Sequence, residues 1–421
     1  MSLQGPIIVV AENPAADMVE ALRDAGAFPI VETKWSDAPT AFVAVKPVAI
    51  VLADPGPPPS EAAGRMLCLQ IVTANGPTVP VIARVERDSG APIPIALTID
   101  ARLPHERLIA RLRSALRVRA LHATVLRRID TFASRGGRIV RLPVGDALED
   151  ASVLIAGRGK LYPVLSVAIG ERIGIVGALS VETAARHLNA RDIDGIVIGD
   201  GFSAPMVEAF LTVLAQDPRF RDIPVAIANE MPKDFSDRLP TVDHIDPEPK
   251  RIVERMIPVV RLHAFEARLK RMLKSLDAEG MFDPDTGLLT RDAFWHDLGK
   301  VVEEATERGA ALSLARFSFD APFDRRISLD GARLVSRLTR NIDFAHLAED
   351  GSILIAFTQT DLRSSHVVAR RIASVLKHTL LAPHRELAKV AANVTLASFK
   401  AGDNFNTLLQ RVMGNQAVAA E

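Results

Sequence analysis

The sequence predicts an α/β chain of 421 residues, with two flavodoxin-like units in tandem followed by a unit of different order. Three observations point there. Short β-branched runs alternate with stretches of helical spacing, as in a parallel sheet covered on both faces. The same order then recurs without close sequence identity, as an internal duplication does. A long helical stretch closes each round.

In the first round the strand-like runs are Pro6–Ala11, Pro29–Glu32, Val48–Ala53, Val79–Ala83 and Ile95–Thr98. Ala15–Ala25 and Ser60–Thr73 carry helical spacing between them, and a long helix starts at Pro104, with Leu108, Leu112 and Leu116 one turn apart. In the second round Ser152–Ala156, Arg172–Val176, Gly195–Gly199, Ile223–Ala228 and Thr241–Ile245 read as strands and Val181–Asn189 as a helix. Asp246-Pro247 opens a helix that runs to about Leu276, with a kink expected at Pro258. The expected division is 1–130, a linker over 131–150, a second unit over 151–276 and a third over 281–421, with 277–283 as a further linker.

Equal counts of basic and acidic residues, 51 each, give no global field that would gather nucleic acid or an anionic membrane. The basic residues of 107–128 alternate with leucines and are expected on a solvated helix face. The single cysteine, Cys68, excludes an internal disulfide and a cysteine-based zinc site, and its apolar neighbours predict a buried, inert thiol. The ten histidines are scattered with no HxxxH or HExxH spacing, so no histidine metal site is expected. Gly157-Arg158-Gly159-Lys160 lacks the Walker spacing of a phosphate loop. With no signal-peptide pattern and no long apolar run, a cytoplasmic location is expected.

Both rounds resemble bacterial response-regulator receiver domains, best at Pro47–Asp54 and over Pro104–Arg113. That family takes a phosphoryl group with carboxylates gathered around Mg²⁺ and a lysine after the fifth strand. In the first unit Ala11 stands where one acid of the pair belongs, Asp54 is the candidate phosphoacceptor, and Leu103 holds the lysine position. In the second, Gly157-Arg158 ends strand one with no acid, Asp200 ends strand three, and Asp246 replaces the lysine. The incomplete sets make Asp54 and Asp200 turn residues first, and the units interaction and dimerisation modules.

The third unit resembles the GGDEF domain of diguanylate cyclases. The residues that carry the resemblance are Asp283-Pro284-Asp285-Thr286-Gly287-Leu288-Leu289-Thr290-Arg291-Asp292-Ala293-Phe294, and Arg340-x-x-Asp343 followed, after residues 344–348, by a hairpin that reads Glu349-Asp350-Gly351-Ser352-Ile353. The resemblance implies a ferredoxin-like α+β domain with strands at Leu312–Phe319, Ile353–Phe357 and Val394–Ser398, and helices at Gly331–Thr339, Ser364–Lys377 and Asn406–Val412.

A working cyclase needs carboxylates for two metal ions and glycines beside the phosphates. By alignment the first-strand metal acid falls on Arg316, the hairpin glycines on Glu349 and Asp350, and the hairpin acids on Gly351 and Ser352. Of the guanine-reading segment only Ala321–Asp324 remains, and no lysine in Gly414–Glu421 replaces the phosphate-binding one. The resemblance therefore implies a degenerate active site, with no Mg²⁺ and no other cofactor expected.

The retained pair is the family's product site. A guanidinium such as that of Arg340 can give two parallel hydrogen bonds to guanine, and a carboxylate such as that of Asp343 can accept from N1–H and N2–H. A further arginine on the next helix completes the site, and alignment places it on Arg371, with Arg370 as its substitute. The motif alone is weak, since Arg127…Asp130, Arg191…Asp194 and Arg219…Asp222 share its spacing. The reading is a catalytically inactive receiver of cyclic di-GMP, acting as a homodimer on a further protein partner. The alternatives are a structural adaptor that binds no nucleotide and, far behind, an active cyclase.

Overall fold

Two parallel sheets and one antiparallel sheet carry the chain in the computed structural model, which describes all residues except 1–2, 55–57, 59, 87–88, 138–139, 141, 144, 229–234, 236–238, 240, 278–279, 320–324, 380–391 and 415–421. The first unit comprises β1 (Gln4–Val10), α1 (Ala16–Asp24), β2 (Phe28–Thr33), α2 (Ala38–Val45), β3 (Ala49–Leu52), α3 (Glu61–Thr73), β4 (Val81–Val85), β5 (Leu97–Asp100) and α4 (His105–Ser134). Its strands lie in the order β2-β1-β3-β4-β5, all parallel.

The second unit repeats this with β6 (Ser152–Ala156), α5 (Leu161–Gly170), β7 (Gly174–Ala178), α6 (Val181–Ala190), β8 (Gly195–Ile198), α7 (Ala204–Gln216), β9 (Val225–Ile227), β10 (Val242–His244) and α8 (Pro249–Asp277). The order β10-β9-β8-β6-β7 is the same winding, and both sheets are flavodoxin-like. The β-branched strands β3 and β8 are buried along their whole length, because helices cover both faces of each sheet.

The third unit holds α9 (Arg291–Arg308), β11 (Leu312–Phe319), α10 (Arg325–Leu338), β12 (Phe344–Leu347), β13 (Ile353–Thr358), α11 (Leu362–Thr379), β14 (Ala392–Ser398) and α12 (Phe405–Met413). From β11 onward the order is βαββαβ, and the antiparallel sheet runs β12-β13-β11-β14, which is ferredoxin-like.

Some elements differ from expectation. Strand β7 begins at Gly174 rather than Arg172, because the amides of Arg172 and Ile173 both turn back to Ile169 O at 3.0 Å and finish α5. Likewise Ala96 N donates to Ile93 O, so β5 starts at Leu97. Helices α2, α5, α7 and α9 go beyond the elements the sequence predicts. The helix expected after Asp246-Pro247 is α8, and it runs on through Pro258 as the sequence predicts.

The basic stretch 107–128 is not a solvated face. Helices α4 and α8 pack side by side, and one apolar cluster joins both parallel units through Leu108, Leu112 and Leu116 of α4 and Ile252, Met256 and Val260 of α8. Arg111, 4% exposed, reaches Asp243 of the second unit at 2.5 Å, and Arg107 donates to Val242 O. Arg119 donates to the carbonyls of Pro77 and Thr78, each at 2.7 Å; burial first, then the Arg308 charge, draws it down to about 10. The apolar spacing of α4 is carried on so many sides that its arginines must pair inside. Cys68 is half-buried rather than buried, with Leu69 beside it 60% exposed, and burial pushes its thiol up.

A second apolar cluster runs from Leu121 and Val125 of α4 and Leu269 and Leu273 of α8 to Phe294, Phe344 and Leu354 of the third unit. The two long helices thus seat the domain that carries the site.

Candidate functional site

Strand β12 is the short element that positions both halves of the site. The segment Asp283–Leu289 folds into a tight turn in which Asp283 Oδ1 accepts from the amides of Asp285 and Thr286 and the hydroxyl of Thr286. Leu289 N then donates to Ala345 O at 2.9 Å, which lays this segment along β12. His346 is half-buried in β12, its Nδ1 3.0 Å from Leu289 O and its ring stacked on Phe294 at 5.6 Å. Burial draws its pKa down, so the neutral ring is favoured.

Past β12 the chain closes a hairpin in which Ala348 N donates to Ser352 O and Gly351 N to Ala348 O. Gly351 sits at φ 79°, a conformation that suits glycine. Arg316 of β11 pairs in register with Leu354 of β13 and points its guanidinium at this hairpin. Its Nη2 is 2.5 Å from Asp350 Oδ2, its Nε donates to Ser352 Oγ at 3.1 Å, and its Nη1 to Met413 O at 3.2 Å. Burial pushes the Asp350 carboxyl up, but the hydroxyl and amide of Ser352 and the Arg316 charge outweigh it and hold the group below its usual range. Glu349 points outward to Arg291 Nη1 at 2.6 Å, with both side chains largely exposed. The structure thus brings Arg316, Asp350 and Ser352 together, and a cation of the chain itself fills the space between them.

At the other end of β12 the arrangement is different. Asp343 is 7% exposed; its amide donates to Arg340 O, and its Oδ1 accepts from Thr358 N at 3.0 Å. Burial pushes this carboxyl up to about 7, against the opposing pull of Thr358 N–H, Arg340 and Arg127. Arg340, Arg370 and Arg371 are exposed. The cations of the expected ligand site therefore face solvent, while its carboxylate lies beneath the surface. Ala321–Asp324 and residues 415–421 lie outside the described residues.

The sequence missed a buried charge cluster next to this site. Asp297 of α9, fully buried, accepts from Arg127 Nε at 3.3 Å and Thr131 Oγ1 at 2.5 Å, and is paired also with Arg128. Asp277, at the end of α8, is pushed up to about 6 by burial, with Arg128 opposing and Asp297 adding. One signal existed: Asp297 falls among Phe294, Leu298 and Val301 on the apolar stripe of α9, and a buried acid there calls for a partner cation.

In the parallel units the strand-end acids serve the backbone. Asp54 Oδ2 accepts from Glu12 N at 2.6 Å, and Asp200 accepts from the amides of Lys160 and Leu161 at the start of α5. Asp200 thereby lies against Gly159, where an added Cβ would come within 2.2 Å of its carboxylate. Among the described residues no group of three histidine, cysteine, aspartate or glutamate side chains could hold a metal ion, and no helix is long and apolar enough to cross a membrane.

No protein-family model matches the sequence, and no curated protein matches it. Among solved structures the chain is similar to the coiled coil and GGDEF domain of DgcB from Caulobacter crescentus in complex with c-di-GMP, at 18% identity and a TM-score of 0.30, over 35% of this chain and 84% of that one. It is similar also to the diguanylate cyclase SiaD in complex with its activator SiaC from Pseudomonas aeruginosa, at 20% identity and a TM-score of 0.31, over 35% of this chain and 62% of that one. The FimX GGDEF domain from Pseudomonas aeruginosa matches at 14% identity and a TM-score of 0.28, over 32% of this chain and 90% of that one.

Proposed function

We propose that the third unit is a catalytically inert relative of the diguanylate cyclase domain that binds cyclic di-GMP through Arg340, Asp343 and the arginines of α11, and relays its occupancy through protein–protein contacts. The observation that carries the inert half is the Arg316–Asp350–Ser352 network. A divalent ion needs converging oxygens with negative charge, and here a guanidinium stands among them. The ligand half rests on Arg340, three residues before Asp343, and on Arg370 and Arg371 of α11, all three exposed. Such forks match guanine edges and phosphates. The parallel units and their long helices supply partner surfaces, and a homodimer acting on a further protein in the cytoplasm is the assembly this reading implies.

The second reading is an adaptor that binds no nucleotide. What favours it is Asp343 itself, already engaged by Thr358 N–H and nearly closed to solvent.

A thermal-shift series separates the two readings. With cyclic di-GMP the wild type should melt higher and Arg340→Ala should not; equal melting of both proteins with and without ligand supports the adaptor. Incubation with GTP and Mg²⁺ should leave the GTP unchanged, and any cyclic product contradicts the inert half.

A further inference from the structure

Helix α4 belongs to the first unit, yet its last turns lie beneath the third. Arg127 Cζ stands 5.2 Å from the centroid of the Phe344 ring, the residue next to Asp343, and Arg128 Cζ stands 5.8 Å from the same ring. Asp297 of α9 holds both guanidiniums there, and Phe294 packs edge-on against Phe344 at 5.4 Å. The strand that carries the candidate ligand site is therefore seated on two arginines from another unit. We infer that Arg127 is a positioning residue for the Arg340/Asp343 site, reaching it from beneath on α4, so that ligand affinity and the packing of α4 depend on each other. This rests on the proposed reading of that site.

The physical basis is charge rather than contact. The cations that bear on Asp343 are Arg340, from the turn before β12, and Arg127, from α4; β13 contributes the uncharged Thr358, and α9 contributes Asp297, which fixes Arg127. A guanine edge offers two donors and asks for an ionised carboxylate. Burial disfavours that form, and the Arg127 charge favours it. By reciprocity, a ligand that holds Asp343 ionised strengthens the seat of Arg127 under Phe344, and with it the clasp of α4 on the third unit.

The test uses the full chain and cyclic di-GMP as the probe. Calorimetric titrations from about pH 6 to about pH 8 should show wild-type affinity rising through the pKa of Asp343. Arg127→Met should weaken binding near neutrality by about fivefold or more and move the rise to higher pH, and Arg127→Lys, which keeps the charge, should restore most of the affinity. Amide exchange in the wild type should slow over residues 118–134 when ligand is saturating. A merely structural arginine would leave the pH profile where it is. Wild-type affinity and profile in Arg127→Met, or unchanged exchange in α4 alongside normal binding heat, overturns the role of Arg127 and leaves the ligand site standing. Absence of any wild-type binding removes both. If Arg127→Met does not fold, Arg127→Lys and the wild-type exchange experiment decide.

Discussion

Two aspartates flank the same short strand, and their situations are opposite. Asp350, after β12, is partly exposed and complete: a guanidinium, a hydroxyl and an amide occupy it, and its carboxyl is held low. Asp343, before β12, is buried with one backbone donor and, among the described residues, no cation in contact, and its carboxyl is pushed up to about 7. A carboxylate already saturated by its own chain has little to offer a metal or nucleotide. One that is short of donors gains from a ligand that brings them. This contrast is why the hairpin end reads as closed and the Arg340 end as open.

The largest effect should come from loosening the floor beneath Asp343. Asp297→Ala leaves Arg127 buried without its carboxylate and Arg128 with only Asp277, at 3.9 Å, and stability should fall by about 3–5 kcal/mol, read as a lower urea midpoint. A variant as stable as wild type would mean that the cluster contributes nothing to seating β12. Next is Arg340→Ala, which should weaken cyclic di-GMP binding by about 1–3 kcal/mol without changing the melting temperature of the free protein. Unaltered affinity would place any ligand elsewhere.

The pH dependence sharpens the contrast, since the two groups have opposite signs. The folded-state pKa of Asp343, about 7, lies above the roughly 3.9 of an unfolded chain, so the folded state holds a proton that the unfolded state has released. Its contribution is full below the unfolded value and is lost as pH rises through 7. Asp343→Asn should remove that decline, and an identical slope in wild type and variant contradicts the burial argument. Asp350, held low, contributes above the unfolded value and loses its contribution as pH falls through the folded one.

At the hairpin the effects should be small. Arg316→Ala releases a pair whose side chains are 19% and 43% exposed, and about 1 kcal/mol or less should be lost, with no cyclase activity gained. Smallest of all is Glu349→Ala: its pair with Arg291 is open to water, and the urea midpoint should stay unchanged.

The parallel sheets were legible because their inner strands are short β-branched runs with nothing polar to confuse the period, as in Ala49–Leu52 and Gly195–Ile198. Helices α5 and α7 were not, since LYPVLSVAIG and APMVEAFLTVLAQ are apolar on too many sides to show a helical period. The Arg-x-x-Asp segment could be located, but the burial of Asp343 could not be read. Phe344 and Ala345 are both buried, so the start of β12 lacks the alternation that tells an inward side chain from an outward one. The arginines of α4 misled for a related reason: Arg127 meets Asp297, Arg111 meets Asp243, and local spacing is silent about partners so distant in sequence.

Isothermal titration of cyclic di-GMP into the wild-type chain near pH 8, where Asp343 is ionised, tests the central claim most directly. Saturable heat at a site that Arg340→Ala weakens by about 1–3 kcal/mol is the predicted result. A flat titration at ligand concentrations far above the protein's would contradict the ligand-binding account and leave the adaptor reading in its place.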